Sequence, residues 1–225
     1  MFRSGHIMLI IGLLATVGCS GGSNDGDDEI QPGASPEYAD AATLYHQAAE
    51  KLASDYFGDL QTALQAALNE GDAVSTLQIC SEIAPLLADL NSGGGWRIGR
   101  VSERFRNPDN RADTLELAIL ARFTDSATVP FTETWTETDS GAVFRYYQPI
   151  RTRQLCLKCH GDMQTLGPGV YSRLKRLYPL DRATGYHADE LRGMFVVEAA
   201  WPEGVAQAER LVGGAVKTSE QGLDQ

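Results

Sequence analysis

The stretch Cys156-Leu157-Lys158-Cys159-His160 constrains this chain more than any other part of it. Two thiols separated by two residues and followed at once by an imidazole are the attachment signature of c-type haem. Each thiol adds to one vinyl group of the porphyrin, and the next side chain then lies under the ring, where a histidine nitrogen can bind iron. The spacing predicts one covalently attached haem c, with Cys156 and Cys159 as attachment sites and His160 as an iron ligand.

Two other chemistries use the same spacing of thiols. A zinc site needs four Cys or His ligands, which here would be Cys80, Cys156, Cys159 and a histidine. A thioredoxin-like dithiol is expected beside a βαβ unit. The residues around Cys156 show no βαβ pattern, and the chain has no second Cys-x-x-Cys. The motif therefore favours haem over zinc, and zinc over a redox dithiol.

The charge of the chain limits its partners. Lys and Arg number 19 and Asp and Glu number 30, so the net charge is 19 − 30 = −11. This argues against nucleic acid as a partner, because phosphate binding needs a basic patch. The one local basic concentration is formed by four arginines of residues 97–106: Arg97, Arg100, Arg104 and Arg106. Two interpretations are open. The arginines pair with the carboxylates of the haem propionates, whose geometry the planar guanidinium matches, or they belong to a solvated, ion-paired loop. We assign Arg100 to the cofactor.

Residues 1–18 form a leader. Arg3 precedes an apolar run over 7–17 that is too short to span a bilayer. The small residue directly before Cys19 resembles a bacterial lipoprotein signal, although Thr16 departs from the aliphatic residue usual there. The resemblance implies cleavage before Cys19 and lipidation of its thiol. Ser20 favours the outer membrane. We expect a protein on the periplasmic side, tethered by its lipid alone; the alternative is an ordinary secretory leader.

One of the four cysteines has no predicted role. Of the four cysteines, Cys19 is assigned to lipid, and Cys156 and Cys159 to haem. Only Cys80 remains, on the apolar face of a predicted helix over 73–90. A lone thiol in an oxidising compartment is a liability unless it is buried or ligated. Cys80 is thus either a small buried hydrophobe or a ligand.

The remainder of the chain divides into three parts. Residues 19–35 are an acidic, Gly- and Ser-rich flexible linker, 36–212 form one haem domain, and 213–225 form a frayed tail. Two helices fill the first part of the domain, and Asp113 with Glu116 predicts a capping box at the start of another. Val170, Tyr171, Leu174 and Leu177 are predicted to face inward on a short helix over 168–178. Extended segments are predicted over 96–102, 131–137, 142–150 and 194–201.

Several motifs together resemble a known family. They are LCLKCHGD at 155–162, LYPLDRATGY at 177–186 and LRG at 191–193, preceded by ICSEIAP at 79–85, GWRIGR at 95–100 and VFRY at 143–146. They are similar to motifs of the single-haem c-type proteins with a PAS-like fold, long catalogued as a domain of unknown function. The resemblance covers most of residues 40–200. Tyr147 and Val101 depart from it, since Met and Thr are expected there.

The resemblance implies a fold and a ligand pair. The fold is α+β, with a PAS-like five-stranded antiparallel sheet, a long N-terminal helix and further helices packed on it. The iron ligands would be His160, which matches the histidine of the haem motif, and Cys80, which matches the cysteine before Ala-Pro. A thiolate ligand stabilises ferric iron and lowers its potential.

These expectations favour redox sensing or low-potential electron transfer over an enzymatic activity. An electron carrier would need a redox partner protein, and a sensor would need a separate signalling partner, since the sequence contains no transmitter segment. Two alternatives stay open. The first is a haem subunit of an enzyme that oxidises sulfur compounds, which requires a displaceable iron ligand and a substrate pocket. The second is a zinc-binding lipoprotein.

Overall fold

The computed structural model of the protein describes residues 38–71, 73–167 and 169–220, except for the side chains of residues 73, 75, 78–80 and 214–220. The predicted leader, Cys19 and the acidic linker lie outside the described residues, as does the side chain of Cys80. The fold is α+β, as predicted. Its helices are α1 (Ala39–Glu70), α2 (Ala73–Leu90), α3 (Thr114–Asp125), α4 (Gln154–His160), α5 (Val170–Leu177) and α6 (Val205–Glu220). Its strands are β1 (Trp96–Val101), β2 (Thr132–Thr138), β3 (Gly141–Arg151) and β4 (Leu191–Trp201).

One antiparallel sheet contains all four of these strands, in the order β1-β4-β3-β2. β4 is the last strand in the sequence but lies between β1 and β3, so that Val197 pairs with Ile98 on one side and with Tyr146 on the other. The four strands are those that the residue pattern predicts. The described residues thus form one strand fewer than the five that the family resemblance implies.

Helix α1 covers one face of the sheet. Its buried residues recur at helical spacing, as the apolar stripe predicts, and include Tyr45, Leu52 and Tyr56. The ring of Tyr45 lies 5.1 Å from that of Trp96, and its hydroxyl donates a 2.9 Å hydrogen bond to the carbonyl of Ala200. Side chains along a strand point alternately to the two faces of the sheet. Every second residue of this part of β3 and β4 therefore joins this core: Phe144, Tyr146, Phe195, Val197 and Ala199.

Helix α3 covers the opposite face. The predicted capping box is confirmed: Asp113 Oδ1 accepts from the Glu116 amide, and Glu116 Oε2 accepts from the Asp113 amide, both at 2.8 Å. Phe123 of α3 packs with Tyr147 and Met194, which lie between the residues that face α1. The sheet is therefore buried between helices on both sides.

Three helices differ from the expectations: α4, which was not predicted as a helix, α5 and α6. Val170 and Leu174 of α5 are buried, as predicted, but Tyr171 is 42% exposed, so the inward orientation predicted for it is wrong. Its position next to Val170 turns it about 100° away around the helix. Helix α6 was not predicted, and it continues past Gly213, where we placed the start of the tail. Ala208 of α6 is buried in the core formed with α1. No described helix has the length and apolar character needed to cross a membrane.

Candidate functional site

The Cys-x-x-Cys-His motif forms its own seven-residue helix, α4. Cys156 and Cys159 are three residues apart, so they share one face of it. Cys156, Cys159 and His160 all line a single cavity of about 270 Å³. The structure thus brings together the three residues of the motif that the sequence singled out.

Backbone hydrogen bonds fix the end of α4. The amide of Gly161 donates to the carbonyl of Leu157 at 2.9 Å, and the amide of Tyr186 donates to the carbonyl of His160 at 2.9 Å. A Cβ atom on residue 161 would lie 2.6 Å from the Leu157 oxygen. Glycine directly after the motif is therefore a steric requirement of this tight helix end.

The imidazole of His160 is held in one tautomer. Its Nδ1 lies 2.7 Å from the carbonyl oxygen of Ala183, and a carbonyl can only accept, so Nδ1 carries the proton. Burial, followed by the nearby Arg106 and Arg192, lowers the pKa of His160 well below its usual value, although the bond to Ala183 raises it. A neutral imidazole with a free Nε2 lone pair is the form that binds a metal.

The cavity carries an excess of positive charge. Five arginines contribute to its lining: Arg100, Arg106, Arg151, Arg153 and Arg192. None of the described residues that line it is Asp or Glu. In a chain with a net charge of −11, this concentration suits an anionic group with carboxylates.

The predicted arginines do not act as one group. Arg100, which we assigned to the cofactor, and Arg106 line the cavity. Arg97 instead points to solvent, with 77% of its side chain exposed, and lies 3.8 Å from Glu198. The guanidinium of Arg104 lies 3.9 Å from the ring centroid of Tyr186 and borders a second cavity beside α3.

Arg192 is a residue of the cavity that the residue patterns did not assign to the site. Its Nη1 donates to Ser102 Oγ at 2.9 Å and to the carbonyl of Arg104 at 3.2 Å. Burial lowers the pKa of Arg192 to about 10. The sequence shows that Arg192 belongs to the motif Leu191-Arg192-Gly193. It does not show that Arg192 lies near α4, because this position depends on the pairing of β4 with β1.

The remaining walls are largely apolar. Helix α1 contributes Phe57, Leu60 and Leu64, α2 contributes Leu77, Ile83, Ala84 and Pro85, and β4 contributes Phe195. Such walls fit a flat, apolar macrocycle. Cys80 lies in α2, between Leu77 and Ala84. Among the residues that the structure describes, no three His, Cys, Asp or Glu side chains converge closely enough to hold a metal ion by themselves.

Fold and site together define an α+β protein in which a Cys-x-x-Cys-His helix forms one wall of an arginine-lined, apolar cavity. Residues 31–200 match the model of the Tll0287-like family, described as Tll0287, and the chain belongs to this family. Membership of a haem-protein family, which the motifs indicated, is confirmed. A search of curated proteins found no match.

A solved structure supports the fold. The crystal structure of the cyanobacterial heme-protein Tll0287 matches with a TM-score of 0.50 and 22% sequence identity, over 76% of this chain and 99% of that one. At this level of identity the likeness concerns the fold. The α+β architecture of the chain is therefore shared with that protein.

Proposed function

We propose that this chain is a monohaem c-type protein, tethered outside the cytoplasm, that acts in redox sensing or low-potential electron transfer. One observation carries the proposal: Cys156, Cys159 and His160 line one apolar cavity together with five arginines. Haem as the cofactor agrees with the family to which the chain belongs and with the related cyanobacterial protein, which is a heme-protein.

The residues of the cavity fit haem in each of its parts. The thiols of Cys156 and Cys159 would hold it covalently, and Nε2 of His160 would bind iron, since Nδ1 is engaged with Ala183. Arg100 and Arg192 suit the propionates, because guanidinium groups pair well with carboxylates in apolar surroundings. When bound, haem supplies a one-electron redox couple at this cavity.

Cys80 is proposed as the second iron ligand. Leu77 and Ala84 of α2 line the cavity, and Cys80 is three residues from the first and four from the second. This spacing places the three positions on one face of a helix. A thiolate ligand would stabilise the ferric state and lower the potential, which suits a sensor or a low-potential carrier.

The proposed setting follows from the N-terminal sequence. Lipidation of Cys19 would tether the haem domain through the acidic linker over 19–35 to the periplasmic side of a bacterial membrane, with Ser20 favouring the outer membrane. The domain would be PAS-like, as the resemblance implies. It would exchange electrons with a redox partner protein or pass its redox state to a separate signalling partner.

Covalent haem is the property to test first. Protein made with a c-type maturation system should contain one haem per chain that survives extraction with acidified acetone, since thioether bonds are covalent. Cys156→Ala combined with Cys159→Ala should abolish this retention, whereas the control Cys80→Ala should keep it. A colourless protein that contains stoichiometric zinc would show that the proposal is wrong and the zinc alternative right.

A further inference from the structure

Arg106 and Asp181 form a buried ion pair beside the haem motif. Nε of Arg106 lies 3.3 Å from Oδ1 of Asp181, and the two side chains are only 11% and 3% exposed. The same Oδ1 accepts a 2.8 Å hydrogen bond from the amide of Ala183. Asp181 thus holds both a cation and the backbone of residue 183.

Arg106 also bridges two backbone carbonyl groups next to His160. Its Nη2 donates to the carbonyl of Cys159 at 2.6 Å and to the carbonyl of Ala183 at 3.1 Å. The Ala183 oxygen is the acceptor for Nδ1 of His160, at 2.7 Å. One carbonyl oxygen therefore receives two hydrogen bonds, one from the imidazole and one from the guanidinium.

This sharing affects the imidazole. A strong acceptor at Nδ1–H raises the basicity of a metal-binding histidine. A guanidinium that donates to the same oxygen withdraws electron density from it and makes it a weaker acceptor. The carboxylate of Asp181 partly cancels the charge of Arg106, because opposite charges this close in a buried site are only weakly screened.

We propose that the Arg106–Asp181 pair is a positioning device that sets the electron-donor strength of His160 toward haem iron through the carbonyl oxygen of Ala183. The inference rests on the proposed function, since it concerns His160 as an iron ligand. Arg106 and Asp181 act with opposite signs in it: the guanidinium weakens His160 as a donor, and the carboxylate moderates the guanidinium.

The two residues are expected to shift the midpoint potential in opposite directions. A purely structural role of the ion pair would not produce opposite shifts. Arg106→Gln should lower the midpoint potential, because the Ala183 oxygen becomes a better acceptor and a positive charge is lost. Asp181→Asn should raise it, because the guanidinium is no longer balanced. The midpoint potential of the double variant should lie between those of the two single variants. We expect each single variant to change the ferric-to-ferrous ratio at a fixed applied potential by about tenfold, which equals about 59 mV for a one-electron couple.

The matched control is a second arginine–carboxylate pair. Nε of Arg145 lies 2.8 Å from Oε2 of Glu198, and neither residue lines the cavity. Arg145→Gln and Glu198→Gln should leave the potential unchanged. Arg106→Lys keeps the charge, so its midpoint potential should stay close to that of the wild type. If Arg106→Gln does not fold, the rise expected in Asp181→Asn and its absence in Glu198→Gln decide the question.

The outcomes separate this inference from the proposed function. Potentials that are unchanged, or that shift in the same direction in Arg106→Gln and Asp181→Asn, overturn the inference while covalent haem in the wild type upholds the function. A wild-type protein without haem overturns both.

Discussion

The hydroxyl of Ser102 accepts a 2.9 Å hydrogen bond from Nη1 of Arg192 and donates a 2.8 Å hydrogen bond to the backbone carbonyl of the same residue. Ser102 follows β1 and Arg192 lies near the start of β4. The reciprocal pair holds a buried guanidinium at the wall of the cavity that contains Cys156, Cys159 and His160.

Removal of this guanidinium should lower the midpoint potential. Arg192→Leu deletes a positive charge that, next to the proposed propionate, would favour the ferrous state. Ser102→Ala should shift the potential in the same direction by less, because the guanidinium stays but is less well fixed. Arg97→Leu is the control, since 77% of that side chain is exposed. Redox titration of the three variants measures the shifts, and equal shifts in Arg97→Leu and Arg192→Leu would contradict the role of Arg192.

Cys80→Ala should change the iron spectrum and leave the haem attached. Loss of a thiolate ligand converts a six-coordinate low-spin ferric centre to a high-spin one or to another ligand set, and raises the potential. Ferric electron paramagnetic resonance reports the change directly, and cyanide should then bind. Cys80→Met should also raise the potential, because a neutral thioether stabilises ferric iron less than a thiolate does. An unchanged resonance spectrum in Cys80→Ala would rule Cys80 out as a ligand.

Cys19→Ala should release the protein from membranes or leave it unprocessed. Stable anchoring takes two or more acyl chains, since a single chain gives only marginal binding. Fractionation of cells that express the full-length chain, followed by mass analysis of the mature N-terminus, measures the effect. Cys80→Ala is the matched control for loss of a thiol, and it should remain with the membranes. A mature chain that begins at another residue would contradict lipidation at Cys19.

Tyr45 should make the protein sensitive to alkali. Burial raises its pKa to about 12, whereas in the unfolded chain the value is about 10. Below pH 10 the hydroxyl is protonated in both states, so it adds no pH dependence. As the pH rises from 10 toward 12, the unfolded chain loses this proton first, and the free energy of unfolding falls.

The substitution Tyr45→Phe tests whether Tyr45 causes this fall in the free energy of unfolding. At pH 7 the variant should be less stable by about 1 kcal/mol, since it loses the hydrogen bond to Ala200. The gap between variant and wild type should narrow above pH 10. Chemical denaturation at pH 7 and pH 11 measures both values, and an equal gap at the two pH values would argue against a buried, protonated Tyr45.

The parts of the fold that were predicted correctly depend on local patterns. The stripe that includes Tyr45 and Tyr56, the capping box at Asp113 and the four extended segments each follow from residues close together in the sequence. Tyr171 was assigned to the wrong side of α5 because the short helix has too few turns to define its apolar face. The fifth strand was implied by the family resemblance and not by a residue pattern.

The candidate site was predictable only where its residues are contiguous. The motif at 156–160 predicted three residues that meet at one cavity, and the local concentration of arginines supplies two further residues of its lining, Arg100 and Arg106. Ala183 contacts His160 of α4, Asp181 pairs with Arg106 beside it, and Arg192 lines the cavity from β4. Turns and strand pairing between distant segments create these contacts, so no local pattern reveals them. Their positions beside the cavity are seen only in the structure.

The position of β4 between β1 and β3 has a consequence for the order of assembly. Helices α1, α2 and α4 all precede β4 in the chain, whereas Arg192, Gly193 and Phe195 line the cavity from β4 itself. The pairing of β1 with β4 joins distant segments, and such contacts form slowly because the loop between them must close first. A chain in which the helices have formed and β4 is still unpaired would therefore present this cavity without one of its walls, open to a bulky planar group.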